Sequence, residues 1–314
     1  MIFNARDKIT RGLLSLVRTS LPLNFYFQHH FPFPSVILIE NTNRCNARCV
    51  MCPREKLTRK PGFMAFEVFE KIIREVSCAR RKPVVHLHGF GEPLLDELLP
   101  ERIKLAKAFG ITHTYLVTNA SLLFPETARK IIGAGLDRMK ISFYGTDDRS
   151  YSRTMRGLDF RVALNNVREF VKIRQAMKKK TPTLILQYLP QTTNGAATKE
   201  FKSLWQSVLD KGMGDCLNIS SPDNFGGGRA YNPVEKKIVS VCFYPWSALS
   251  VLCDGKAVTC CMDYNGAQEV GDVNLHSVKE IWNGSVLSGI RKKFGRLDYG
   301  GFPTCQCCDW VHRR

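Results

Sequence analysis

Between residues 35 and 220, short β-branched runs alternate with longer stretches in which apolar residues recur at helical spacing. The strand-like runs fall at 36–40, 84–88, 112–118, 138–143, 183–189 and 217–220, and the helix-like stretches at 65–78, 98–108, 125–133, 160–177 and 198–211. Strand and helix in regular alternation is the pattern of a wound parallel sheet, because parallel neighbours need a crossover about the length of a helix. Pro125 suits the first turn of its helix and Gly133 or Gly135 its end. Six units are too few for a closed eight-stranded barrel. After Gly226-Gly227-Gly228 the period changes, and no further long helical stretch is read until about 278–294, which places a boundary near 225–241. In that later part a hairpin is expected to turn at Asp254-Gly255.

The chain has 314 residues, 44% of them hydrophobic. That is enough to bury a substantial core as one large domain, or one domain with a small appendage, and excludes a disordered or fibrous chain. Its twelve cysteines gather at 45–52 and 242–308, with only Cys78 and Cys216 outside. Such clustering favours metal or cluster ligation over a scattered disulfide framework, and with it a reducing, cytoplasmic setting. The net charge of +18 implies attraction to something anionic. The basic residues are dispersed apart from short runs such as Lys178-Lys179-Lys180, which suit helix C-termini, so nucleic acid is not the expected partner.

Residues 1–34 form a basic extension in which Arg11 and Arg18 bracket an apolar core too short for a secretory signal. It reads as a segment packed under the sheet, with peripheral contact to a membrane surface as the alternative. No run is long enough to span a bilayer.

Just after the first strand, the stretch Cys45-Asn46-Ala47-Arg48-Cys49-Val50-Met51-Cys52 places three thiols on one tight loop. Three thiolates can hold three irons of a [4Fe–4S] cube and leave the fourth iron open. A structural zinc loop is the other reading, but no further Cys or His lies near Cys52 to close a tetrahedron. On the second strand, His86 and His88 share a face; a hydrogen-bonded core histidine is the commoner outcome, and neither is assigned a catalytic part.

A buried strand leading into Cys-x3-Cys-x2-Cys, then alternating helices and strands, resembles the radical S-adenosylmethionine (SAM) enzymes. The resemblance implies an α/β fold, a partial (β/α)6 TIM-like barrel, spanning 35–225. His88-Gly89-Phe90-Gly91-Glu92-Pro93 looks like the family's Gly-Gly-Glu-Pro motif, with Phe90 where the first glycine is commonest, and Met51 stands where an aromatic residue is usual. By resemblance, Gly91, Glu92, Pro93, Asn119, Ser142, Arg156 and Gln187 would contact SAM. The stretch from Cys242, with its Gly-x4-Cys hairpin, Ile281-Trp282-Asn283 and closing Cys305-Gln306-Cys307-Cys308, resembles the SPASM or shortened twitch domain, covering 226–314. That match implies one auxiliary [4Fe–4S] cluster on Cys242, Cys260, Cys305 and Cys308, leaving Cys253, Cys261 and Cys307 spare.

The implied activity is reductive cleavage of SAM, then hydrogen abstraction from a carbohydrate-like small molecule, phosphorylated or nucleotide-linked, or from a peptide. The auxiliary cluster would accept an electron, and a one-electron reductant such as flavodoxin or ferredoxin would supply the first. The alternatives are a redox-neutral epimerase with a cysteine hydrogen donor and, from another class, a zinc-stabilised nucleic-acid-binding protein. Asp263 is read as a surface aspartate in a turn rather than a base.

Overall fold

The computed structural model describes residues 32–190, 195–229, 238 and 240–312. All but the last three residues of the expected 1–34 extension, with its membrane alternative, lie outside the described residues. Six parallel strands pair in chain order: β1 (Val36–Ile39), β2 (Val84–His86), β3 (Thr114–Thr118), β4 (Arg138–Ser142), β5 (Thr183–Tyr188) and β6 (Cys216–Ile219). Between them run α1 (Phe66–Ser77), α2 (Leu99–Ala108), α3 (Pro125–Ala134), α4 (Asp148–Thr154), α5 (Phe160–Ala176) and α6 (Gly195–Gln206). The strands and five of the helices are the expected partial barrel's units, with ends shifted by one to a few residues; α4 is a short helix the sequence pattern does not predict, and α6 starts three residues before and ends five before its expected bounds.

Period-two burial separates the two faces of the sheet. Leu116, Met139, Ile141, Leu184 and Leu186 are fully buried under the helices, while Tyr115, Val117, Lys140, Ser142, Ile185 and Gln187 are half-buried on the face turned inward. The helices answer with matching stripes: Phe69, Ile72, Ile73 and Val76 on α1, and Ala163, Val167, Phe170 and Val171 on α5. Each large apolar side chain so buried contributes about 1.5–3 kcal/mol. Gly135 ends α3 at φ 87°, a left-handed conformation that a glycine adopts without a Cβ clash.

The C-terminal unit is built onto the same sheet. β7 (Ala248–Val251) lies parallel to β1 on its free edge, turns at Gly255 into antiparallel β8 (Lys256–Val258), and β9 (Glu269–Asp272) completes nine strands. The single helical period expected over 278–294 is two helices, α7 (Val278–Asn283) and α8 (Ser285–Gly295), with extended Gly284 between them. Register sets the inward face in rows. Leu38, His86, Tyr115 and Arg138 share one; Val117, Lys140, Ile185 and Cys216 the next; Ser142, Gln187 and Asn218 the row at the strand ends. No helix of the described residues is long and apolar enough to cross a membrane.

Candidate active site

The chain leaves β1 at Glu40, a buried carboxylate that binds Arg59 at 2.7 and 3.0 Å and accepts the N–H groups of Phe90 and Cys253. The following loop is pinned by Thr42 Oγ1 to the Gly62 carbonyl (2.7 Å) and by Asn43 to Lys60 and Gly62. Arg48–Cys49 then pairs antiparallel with Met155–Arg156, so the segment after α4 clamps the cysteine loop. Cys45, Cys49 and Cys52 are free and half-buried. Burial pushes Cys45 up to about 11, and burial together with the charges of Cys52 and Cys45 pushes Cys49 up to about 12. Burial raises Cys52 as well, against Arg229 and Arg54.

Thiols that repel one another as thiolates in a desolvated loop suit a shared cationic centre, and the Ala47 N–H aimed at Cys45 Sγ (3.4 Å) suits a sulfur ligand. Among the described residues no three Cys, His, Asp or Glu side chains converge closely enough for one metal ion. Ligands of a cube each hold a different iron and stand further apart.

The Gly91-Glu92-Pro93 turn sits directly on this loop. A Cβ on Gly91 would lie 2.3 Å from the Thr42 carbonyl oxygen and 2.6 Å from that of Arg44, and the Glu92 N–H donates to the same Arg44 carbonyl at 2.8 Å. The Glu92 side chain turns inward, where its carboxylate accepts from Thr118 Oγ1 (2.6 Å), the Asn119 N–H (2.8 Å) and the Leu94 N–H (3.1 Å). Burial raises its pKa to about 7 against those three donors. Three of the acceptor positions of Glu92 are thus taken by the protein, where they tie the β2 turn to the end of β3. Pro93 accepts from Asn41 at 3.4 Å.

Asn119 donates to Asn46, inside the cysteine loop, at 3.0 Å. Ser142 and Gln187 face each other in register, and the Tyr144 hydroxyl donates to Gln187 Oε1 at 3.1 Å, with the Ser142 hydroxyl in hydrogen-bond contact with Tyr144. Burial raises Tyr144, and the charges of Cys49 and Cys52 add to the rise. Arg156 is exposed and opposes Arg48 across the short ladder. All seven expected SAM contacts thus surround the three thiols or adjoin residues that do.

Cys242, Cys260, Cys305 and Cys308 line one cavity with Gln268 and Asp263. The Met262 N–H points at Cys260 Sγ (3.3 Å) and Gln268 Nε2 at Cys305 Sγ (3.5 Å). Burial pushes Cys305 up to about 11 and Cys308 to about 12, and burial with the charges of Cys308 and Cys305 raises Cys242. The spare thiols are not part of this lining. Cys253 is buried beside Glu40, Cys307 is exposed, and Cys261, hydrogen-bonded to Cys260, lines with it a second cavity that also holds His88, Ser250 and Phe90. Asp263 is not at the surface: it is 3% exposed, and its carboxylate accepts the N–H groups of Ala267 and Gln268.

Two features escaped the sequence. The glycine run read as a boundary is a strap between the two thiol sets. A Cβ on Gly227 would lie 2.8 Å from Cys307, and one on Gly228 would lie 2.8 Å from Tyr264 and 3.2 Å from Pro53. Arg229 donates to the Cys52 carbonyl through Nε at 2.8 Å, and Phe225 and Tyr264 flank the ring of Phe90. The second feature is the histidine pair. His86 and His88 face inward beside Tyr115, and the Nδ1 atoms of both are buried without a partner among the described residues. The expected hydrogen-bonded core histidine is not what the fold contains.

A partial barrel with three thiols at its mouth and four more in a cavity beside it defines an iron–sulfur enzyme. The radical SAM superfamily model matches residues 39–185 and the iron–sulfur cluster-binding SPASM model residues 242–309, together well over half of the chain. The protein belongs to the radical SAM superfamily and carries a SPASM domain. It is thereby a radical SAM enzyme, with a [4Fe–4S] cluster that binds SAM and an auxiliary iron–sulfur cluster. Among curated relatives, the GTP 3′,8-cyclase of Synechococcus sp. (strain CC9902) is 38% identical over 127 residues, 39% of this chain and 35% of the cyclase. The tungsten-containing aldehyde ferredoxin oxidoreductase cofactor-modifying protein of Pyrococcus furiosus is 22% identical over 185 residues, 59% of this chain and 51% of its own. The chain thus spans about a third of the first relative and half of the second. In fold it is similar to BtrN in complex with SAM and 2-DOIA (TM-score 0.61, 15% identity, 88% of this chain and 93% of that one). It is also similar to Streptococcus suis SuiB bound to the precursor peptide SuiA (TM-score 0.67, 11% identity, 99% and 76%).

Proposed function

We propose that the protein abstracts hydrogen from a carbohydrate-like small molecule or a peptide and oxidises that carbon. In this reading Cys45, Cys49 and Cys52 hold the SAM-binding cluster, and Cys242, Cys260, Cys305 and Cys308 hold one auxiliary cluster. The observation that carries it is the sorting of the thiols: four line one cavity, three share one loop, and the strap 224–229 joins Cys307, in the turn between Cys305 and Cys308, to the Cys52 carbonyl. When bound, the two clusters supply one-electron cleavage of SAM and an electron acceptor.

The chain's own residues orient and enclose. Ser142, Gln187 and Asn119 form the rim that would meet SAM, with Arg156 beside the loop; the Gly91-Glu92-Pro93 turn fixes the height of the loop above β2. The inward face below that rim is the substrate chamber. Both substrate classes have support among proteins of this fold, since BtrN is seen with 2-DOIA and anSMEcpe with the Cp18Cys peptide. A flavodoxin or ferredoxin would be the reductant. Residues 35–225 then serve the radical and 226–314 the oxidation, although both share one sheet.

A second reading, redox-neutral epimerisation, is favoured by one observation: Cys261, hydrogen-bonded to Cys260, lines a cavity with His88 and Ser250 and does not line the cavity of the four thiols. Anaerobic reconstitution tests the proposal. Iron and sulfide of about eight each per chain, with 5′-deoxyadenosine formed from SAM on reduction, are expected. Zinc in place of iron, with no deoxyadenosine, would end it. Product of inverted configuration whose formation stops in Cys261→Ser would favour the second reading.

A further inference from the structure

We propose that His86, His88 and Lys140 form a pocket floor that holds an oxyanionic group of the substrate, a phosphate or a carboxylate. The inference rests on the inward face being the substrate chamber. His86 is 2% exposed, its ring lies 5.3 Å from that of His88 and 4.5 Å from that of Tyr115, and the Nδ1 atoms of both histidines are buried without a partner among the described residues. Ser250 Oγ, also buried and unpartnered, belongs to the same row as His86, since both register with Leu38. Leaving a buried polar atom unsatisfied forfeits its hydration with nothing in return, so several on one inward face mark a place completed by a ligand.

The sign of that ligand follows from Lys140. It stands one row above Arg138, between Val117 and Ile185, and makes no ion pair or hydrogen bond among the described residues. Burial lowers Lys140 from the ordinary lysine value, which a bound anion would reverse, and the acidic groups opposing that fall are Asp223 and Cys261; Asp223 already accepts the Trp310 indole N–H at 3.0 Å. Both histidines feel the Lys140 charge in turn. Burial, with that charge, holds His86 down to about 3 and His88 well below its ordinary value, so both rings are neutral and each carries one N–H to donate. An ammonium and two imidazole donors on one inward face can together recognise an oxyanion through charge-assisted hydrogen bonds. A cationic or purely apolar substrate would leave these groups as they are.

Calorimetric titration of the reconstituted enzyme with inorganic phosphate, and separately with acetate, tests the site and tells the two oxyanions apart. Saturable binding of at least one anion is expected in the parent. It should weaken about tenfold or more in Lys140→Met, the loss of one charge-assisted hydrogen bond, recover in part in Lys140→Arg, and weaken in His88→Phe. Lys178→Met, a surface substitution, should bind as the parent does. The proposal fails if the parent saturates with neither anion, if Lys140→Met binds as tightly as the parent, or if Lys178→Met weakens binding equally. Deoxyadenosine formation is assayed in parallel without anion. Its absence beside intact anion binding would reject the enzymatic reading alone; its presence without anion binding would reject only this site.

Discussion

Replacing Gly91 with alanine tests whether the Gly-Glu-Pro turn sets the position of the cysteine loop. The new Cβ would sit 2.3 Å from the Thr42 carbonyl oxygen, 2.6 Å from that of Arg44 and 2.8 Å from the Thr42 carbonyl carbon, all backbone atoms, whereas ordinary contact begins near 3.4 Å. Relief therefore needs a backbone shift of about 1 Å, too large for bond-angle strain alone to absorb. The loop cannot easily give, because Thr42 and Asn43 are fixed from the other side by bonds to Lys60 and Gly62. Overpacking of this kind costs about 1–3 kcal/mol, and stretching the Glu92 N–H to Arg44 bond adds about 1 kcal/mol. Urea unfolding of cluster-free protein should show a loss of about 2–4 kcal/mol on that basis, and reconstitution should load less iron on the first cysteine set. Gly133→Ala is the control: nothing lies within 4 Å of its Cβ, and in α3 alanine should stabilise by about 0.5–1 kcal/mol. Full iron loading with a parental urea midpoint in Gly91→Ala would refute the reasoning.

Arg59→Met strands the Glu40 carboxylate, 3% exposed, and should cost about 3–5 kcal/mol in urea unfolding, much of it recovered when Glu40→Gln is added. For His86, the folded pKa near 3 against an ordinary 6.5 means that only the unfolded chain takes up a proton as acidity rises, so stability falls from pH 7 downward until about pH 3. Between pH 7 and pH 5.5 this residue alone should remove about 1.3 kcal/mol. In His86→Phe, the same pair of urea titrations should show a correspondingly smaller loss; an identical loss would contradict the burial argument. Cys260→Ser should reduce reconstituted iron from about eight to about four per chain, while Cys261→Ser keeps about eight, since only Cys260 lines the four-thiol cavity. Iron analysis that reverses this order would exchange the two assignments.

The barrel was legible because each strand carries its own signal. Leu184 and Leu186, and Met139 and Ile141, alternate with less buried neighbours, and period two can be read over a handful of residues. The cysteine loop was legible for the same reason, as a spacing within eight residues. What could not be read are pairings between distant residues. Nothing local to Glu92 shows that Thr118 and Asn119 arrive from the next strand to bond its carboxylate, and Asp263 looks exposed until the turn through Gln268 folds over it. Spacing states which groups are present but not which of them find partners, and chemistry depends on those left over.

The strap carries this furthest. A run of three glycines with a change of period reads as a linker, and composition supports nothing else. In the fold, Gly226 and Gly227 have φ of 60° and 85°, and Cβ atoms there would strike Thr304 and Cys307, so close packing rather than looseness demands glycine. Because Arg229, immediately beyond, grips the Cys52 carbonyl across 177 residues of sequence, a displacement of the C-terminal cysteine turn has a path of three residues to the Cys45–Cys52 loop. Gly227→Ala should therefore disturb both thiol sets. Iron loading would fall toward zero in steps that a lesion in either set alone, which spares about four irons, does not reproduce.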